Sequence, residues 1–244
     1  KPEFWHAETG EIEPVLVYQS TENGTQIPVT FGPHDSVAVV FRNRTFGEQK
    51  PEPLWTSIRQ KDDAHAVKVH GNAGPLLDTQ HGRITAWAKG EWTLKGTDQA
   101  TQTVAVDSLP AAEQITGSWQ VRFPIGWGNP PRVDFPELIS WTDHPEHSVR
   151  HFSGAAAYHQ TFELSAESLE ASSAVRLDLG DVREIADVWV NGRHLGILWH
   201  PPYSVDITDA VRAGTNQLVV EVSNVLNNRL VGDAQRGFCH RVRP

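Results

Sequence analysis

An all-β fold, built as two antiparallel β-sandwich domains over residues 1–112 and 113–244, is what this sequence predicts. Three observations carry that expectation. Short runs of β-branched and aromatic residues recur along the chain, and Gly, Pro, Asn or Asp bound them every eight to twelve positions. No segment of the first half shows a long apolar period of 3.6. The chain is 39% hydrophobic and 21% charged, a balance that suits a folded soluble protein.

In the first half the strand signals are "EPVLVYQS", "TQIPVTF", "SVAVVFRN", "GRITAWAKG", "EWTLKG" and "QTVAVDSL". The stretch between "VVFRN" and "RITAW" is less regular, and its "GEQKPEP" and "HGNAGP" read as loops. A boundary falls near "DSLPAAEQITG", where a strand ends at Pro110 and a polar linker follows. "GSWQVRFP" opens a second set. The Pro-broken, aromatic run "GWGNPPRVDFPELISWTDHPEHSVRHFSG" reads as a long ordered loop with one helical turn around "FPELISW". Strands resume with "GAAAYHQTFEL", "AVRLDLGDV", "IADVWVNG", "RHLGILW", "YSVDIT" and "NQLVVEVSN", and "SAESLEAS" makes a turn of helix between two of them. Spacing of this kind belongs to an antiparallel sandwich or jelly roll.

Some of the punctuation has a local cause. Asn191 and Gly192 tolerate the positive φ angles of a type I′ turn, so "VWV-NG-RHLGI" is a hairpin. In "DITDAVRAGTN", Thr208 or Asp209 is placed to cap a short helical turn and Gly214 to supply its left-handed exit. "WHPPY" is not explained by turn chemistry.

Charge and length exclude several classes. A formal net charge of -9 disfavours nucleic acid and anionic membrane surfaces as partners. No apolar run approaches the roughly 20 residues of a membrane span, and "KPEFWHAETG" lacks the apolar core of a signal peptide. The single cysteine, Cys239, rules out an internal disulfide framework. With no Met, the chain reads as a processed protein or as a piece of a longer one.

Motifs for chemistry are scarce. No Gly-x-Ser-x-Gly elbow, phosphate loop or His-Glu-x-x-His is present. Glycoside hydrolysis needs two carboxylates about 5–10 Å apart across the bond; Asp206 with Asp209 and Glu11 with Glu13 already have uses as caps and solvated strand residues. "DHPEHSVRH" groups His144, His147 and His151 with Asp143 and Glu146, but Pro145 disrupts the helix that zinc spacing would need. They read as hydrogen-bonding loop histidines. No cofactor is expected; a structural calcium ion, held by carbonyls and Asp side chains, is compatible with such sandwiches.

The aromatics are the stronger signal. Of nine tryptophans, Trp87, Trp92, Trp119 and Trp189 fall in strand patterns, whereas Trp127, Trp141 and Trp199 fall in loops with Gly, Pro and His. Sugars stack their C–H faces on such rings while Asn, Arg and His meet the hydroxyls. "LWHPPY" offers Trp199, His200 and Tyr203, and "SNVLNNRLVGD" offers Asn224, Asn227, Asn228, Arg229 and Asp233. Sugar contact and packing onto a neighbouring domain are both open uses of this cluster. Arg229 with Asp233 also suits an ion pair that pins the tail.

A joint set of segments resembles a known family. "GSWQVRFP", "LISWTDHPEHSVRHFSGAAAYHQTFEL", "LDLGDVREIADVWVNGRHLGILWHPPYSVDITDAVRAGTNQLVVEVSN" and "NNRLVGD" cover nearly all of residues 114–233. They resemble the sugar-binding jelly roll of glycoside hydrolase family 2. More closely, they resemble the C-terminal part of family 106, the α-L-rhamnosidases. "EFWHAETGEIEP" is similar to the first hairpin of the β-domain that follows the barrel in such enzymes.

The resemblance implies a galactose-binding-like jelly roll in the second domain, catalytic carboxylates upstream on a barrel, and a secreted or periplasmic setting. It implies a non-catalytic region that supports the barrel, with binding of a rhamnose-containing polysaccharide left as an open further role. The expected contacts are stacking on Trp199 and Tyr203, with Trp141 beside them, and hydroxyl contacts from His200, Asn224, Asn227 and Arg229. A free-standing carbohydrate-binding module and a complete glycosidase with its own acid and base are the alternatives.

Overall fold

The computed structural model describes residues 2–7, 10, 12–29, 36–42, 55–60, 77–78, 85–86, 89–126, 128–172 and 174–236. Trp87, Trp127, Glu11 and Cys239, singled out in the sequence, lie outside the described residues. The chain divides into two compact units, 1–111 and 112–244. Both are built from antiparallel strands, and the fold is all-β.

Unit 1 holds β1 (Pro2–Trp5), β2 (Ile12–Pro14), β3 (Gln19–Thr21), β4 (Gly24–Gln26), β5 (Ala38–Phe41), β6 (Trp55–Gln60), β7 (Leu77–Asp78), β8 (Thr85–Ala86), β9 (Gly90–Gly96) and β10 (Thr101–Val106). The expected opening hairpin is present, with Glu3 opposite Pro14 and Trp5 opposite Ile12. Three-stranded sheets run β2-β1-β5 and β10-β9-β6. The segment 15–18 ties them together: Val15 N–H donates to Pro2 O at 3.2 Å, and Tyr18 N–H to Trp55 O at 3.3 Å. Alternation along β9 turns Trp92 and Leu94 inward onto Val17 and Ile58. Burying Glu3 requires compensation. Arg42 Nε lies 3.4 Å from its carboxylate, and Trp5 Nε1–H donates to it at 3.2 Å. β6 falls in the less regular stretch, between the two segments read as loops.

Unit 2 holds β11 (Trp119–Arg122), β12 (Arg132–Phe135), β13 (Ala155–Leu164), β14 (Arg176–Asp178), β15 (Ile185–Val190), β16 (Arg193–Leu198), β17 (Ser204–Asp206) and β18 (Gly214–Ser223). Its helices are α1 (His147–Arg150), α2 (Ala166–Ala171) and α3 (Asn227–Gln235). A six-stranded sheet runs β12-β11-β13-β18-β15-β16, and β14 pairs separately with β17. Period-2 alternation points Val121, Ala156, Tyr158, Val188, Val190, Leu218 and Val220 to one face, where Leu177 of β14 and Ile207 close the core.

The hairpin forms as its dipeptide dictates. Asn191 and Gly192 take φ of 51° and 80°, and Val190 pairs with Arg193 across a two-residue loop. Gly214 has φ +86°, its left-handed role as expected. The cap before it is different: Asp206 Oδ1 accepts from Thr208 N–H at 2.8 Å, while Thr208 Oγ1 accepts from Val175 N–H at 2.8 Å. The long run 126–154 is also more regular than a loop, because β12 pairs with β11 inside it. Its helical turns fall at Trp141–Asp143 and His147–Arg150, later than "FPELISW" suggests.

Candidate functional site

Strand register decides which loops share one end of the second sheet. Arg122 pairs with Arg132, Ala155 and Ile185 both pair with Ser223, and Ala186 pairs with Leu198. Residues 123–126, 128–131, 144–154, 179–184, 199–203 and 224–236 therefore gather beyond the carboxyl end of β18. All the predicted hydroxyl-binding residues and two of the three predicted aromatics belong to these segments. What each side chain does there differs.

Trp199 stands half exposed at 50%, the ring of His200 meeting it edge-on at 4.6 Å and 88°. It follows β16 in step with the exposed Ile197, so both point away from the core that takes Leu198. This ring is free to stack. Asn227 and Arg229 are exposed on α3, and Arg229 Nε lies 3.2 Å from Asp233, an i,i+4 ion pair.

The others are held in structural contacts within the unit. Tyr203 is buried and its hydroxyl donates to Glu184 O at 2.8 Å; burial raises its acid range. No ring face remains for a ligand. His200 is buried, and its Nδ1 donates to Pro201 O at 2.9 Å. Asn224 is a staple between strand ends. Its Nδ2 donates to Phe152 O at 3.0 Å, and its Oδ1 accepts from Gly154 N–H at 2.9 Å. Trp141 lies in the core at 7% exposure, packed on Phe152 and Phe123 and donating from Nε1 to the Tyr158 hydroxyl.

The histidine-rich segment is a folded buttress. Glu146 caps α1 by accepting from Ser148 Oγ–H at 3.0 Å and, more weakly, its N–H. His144 Nδ1 accepts from Glu146 N–H at 3.1 Å, and its ring lies 4.8 Å from Phe135. Among the described residues, no three His, Cys, Asp or Glu side chains converge as a metal ligand set. Nor, among them, is any helix long and apolar enough to cross a membrane.

Sequence reading missed α3 and its seat. Gly232 is buried, and a Cβ built there would meet Cβ and Cγ of His151 at 2.7 Å. Ser153 Oγ accepts from Arg229 N–H at 3.0 Å. The available signal was Asn228 and Gly232 four apart, one helical face with no side-chain bulk at its centre. Gly232→Ala is expected to push α3 off His151 and cost about 2 kcal/mol, overpacking outweighing the gain in helix propensity. Urea unfolding checks this, and an unchanged midpoint would refute the contact.

Residues 142–242 match the family model described as glycosyl hydrolase 2 galactose-binding domain-like. The second unit carries a galactose-binding-like domain of the glycoside hydrolase type. Strands β11 and β12 precede the match and complete its sheet.

A curated protein from Formosa agariphila, provisionally named beta-glucuronidase, is 38% identical over 144 residues, 59% of this chain and 12% of that protein. The rhamnosidase structure from Novosphingobium sp. PP1Y is 29% identical with a TM-score of 0.63, covering 97% of this chain and 17% of that one. A Ruminococcus gnavus β-glucuronidase structure is 26% identical at TM-score 0.40, over 46% of this chain and 20% of that one. The chain thus spans about an eighth of the curated relative and a sixth of the rhamnosidase.

Proposed function

We propose that the chain is the non-catalytic β-sandwich region of a rhamnosidase-like glycoside hydrolase, family 106 in type. In this reading it supports a catalytic barrel and binds a rhamnose-containing glycan at the loop end of unit 2. The observation that carries it is the likeness to the Novosphingobium rhamnosidase, which runs through 97% of the chain rather than through the galactose-binding-like part alone. Acting on a polysaccharide fits a secreted or periplasmic protein.

Local chemistry supports binding over bond cleavage. The Asp206 carboxylate is taken by Thr208 N–H, and Asp209 sits 3.9 Å from Arg193. Both contacts match the capping and surface uses that the sequence suggests for these carboxylates. Trp199 supplies the stacking face, and Asn227 and Arg229 supply donors for hydroxyls.

Isothermal titration with rhamnose-containing oligosaccharides tests the reading. A binding heat is expected, with an affinity that Trp199→Ala reduces about tenfold, the size of one aromatic–sugar contact of about 1.4 kcal/mol. Silence across the panel would leave a scaffold alone. Hydrolysis of an aryl rhamnoside by the purified chain would overturn the non-catalytic assignment. The 38% identity to the Formosa protein favours a second reading, a glucuronidase-like parent. Glucuronide oligosaccharides in the same panel separate the two.

A further inference from the structure

Helix α3 turns its apolar side outward. Leu226 just before it, Leu230 and Val231 are exposed at 66%, 62% and 51%, while Asn228, Gly232 and Asp233 face inward. Apolar burial therefore does little to hold it. Among the described residues, three specific contacts are available instead: Arg229 N–H to Ser153 Oγ, the Gly232 backbone against the His151 ring, and Arg236 Nη2 donating to His147 Nδ1 at 3.0 Å. Two of the three run through imidazoles of α1 and its C-cap, whose rings lie 4.4 Å apart.

A guanidinium always donates, so His147 Nδ1 can accept from Arg236 only while that nitrogen carries no proton. Protonation sets donor against donor and cation against cation. The groups facing His147 favour that conflict. From α3 comes Arg236; from α1 and its caps come His151, Arg150 and Glu146. Glu146 is the anion of the set, and its carboxylate also caps Ser148. The remaining charges of α3, Arg229 and Asp233, are paired with each other.

We propose that the His147–Arg236 contact is an acid-opened latch, which seats α3 on α1 when His147 is neutral and releases it when His147 is protonated. The direction of titration agrees. Partial desolvation first, and the Arg236 charge next, hold His147 below the ordinary imidazole value of 6.5. A seated α3 then binds fewer protons than a released one, so the latch is at full strength above pH 6.5 and weakens as pH falls below it. That acid also weakens glycan binding, through Asn227 and Arg229 on α3, rests on the proposed function above. The latch itself does not.

Amide hydrogen exchange of the full chain, corrected for intrinsic rates, tests it at about pH 7.5 and about pH 5.5. Exchange across residues 228–236 is expected to rise in acid, below the ceiling of about tenfold that one pH unit under 6.5 allows, while β13 and β18 keep their protection. In His147→Gln the side-chain carbonyl accepts from Arg236 at either pH, so that rise should vanish. In Arg236→Gln the His147 midpoint, followed by NMR, should move up toward 6.5. Equal exchange at both pH values, an undiminished rise in His147→Gln, or an unmoved midpoint would each overturn the latch. None of these readouts depends on sugar.

Discussion

Trp141→Ala is expected to destabilise unit 2 by about 4 kcal/mol, within the range for truncating a buried Trp, while leaving sugar affinity per folded molecule unchanged. The ring is sandwiched in an aromatic cluster: Phe152 meets it edge-on at 5.3 Å, Phe123 lies 6.0 Å away and Tyr158 is nearly parallel at 6.5 Å. Truncation opens a cavity that strands β11 and β13 cannot collapse into without breaking register. It also removes the Nε1–H donor from Tyr158, whose hydroxyl burial has pushed up to about 12. Trp141→Phe separates the effects, keeping most of the packing and losing the hydrogen bond, for about 1–2 kcal/mol. Thermal melts should show a fall of about 10 °C or more for the alanine variant. Trp199→Ala should do the opposite: stability within about 0.5 kcal/mol of the parent, as for a surface change, and lost binding heat. A stable Trp141→Ala with lost sugar affinity would put Trp141 back in a binding role.

The contrast between these two tryptophans shows where sequence reasoning ends. Strands β13, β15 and β18 were legible because alternation states which residues face the core, and the Asn191–Gly192 turn because its φ demands are local. In a loop no period fixes whether a ring points in or out. Trp141, Tyr203 and Trp199 therefore looked alike in sequence, yet only Trp199 is open to solvent.

β12 shows the same limit. "RVDF" stands between Pro131 and Pro136, four residues with no run of their own, and it becomes a strand because β11 offers a free edge. β6 escaped notice beside a proline-rich stretch for the same reason. α3 is a poor helix by composition, with two Asn, a Val and a Gly in "NNRLVGDAQ". Its helicity comes from contacts with Ser153, His151 and His147, all at least 76 residues earlier in the chain.

The second large effect belongs to a residue the sequence passes over. Asn216 on β18 is fully buried, and its side chain uses its whole hydrogen-bonding capacity. Oδ1 accepts from Asn191 Nδ2 at 2.8 Å and from Arg212 N–H at 2.9 Å; Nδ2 donates to Arg212 O at 2.8 Å and Gly214 O at 2.9 Å. Asn191 in turn donates to Ala210 O and accepts from Gln217 N–H. Two amides thus clip the 207–214 connection to the hairpin turn. Asn216→Leu leaves those groups without partners and is expected to cost about 3 kcal/mol, a fall of about 10 °C in Tm. Asn216→Asp keeps the shape but turns two donors into acceptors against carbonyls, so it should be worse at neutral pH and recover partly in acid, where a protonated carboxyl donates again. Combined with Asn191→Gly, which preserves the positive φ, Asn216→Leu should cost less than the sum of the single changes, because both break one network. Additive losses, or an Asn216→Leu melt within about 1 °C of the parent, would mean that water rather than Asn216 satisfies this connection.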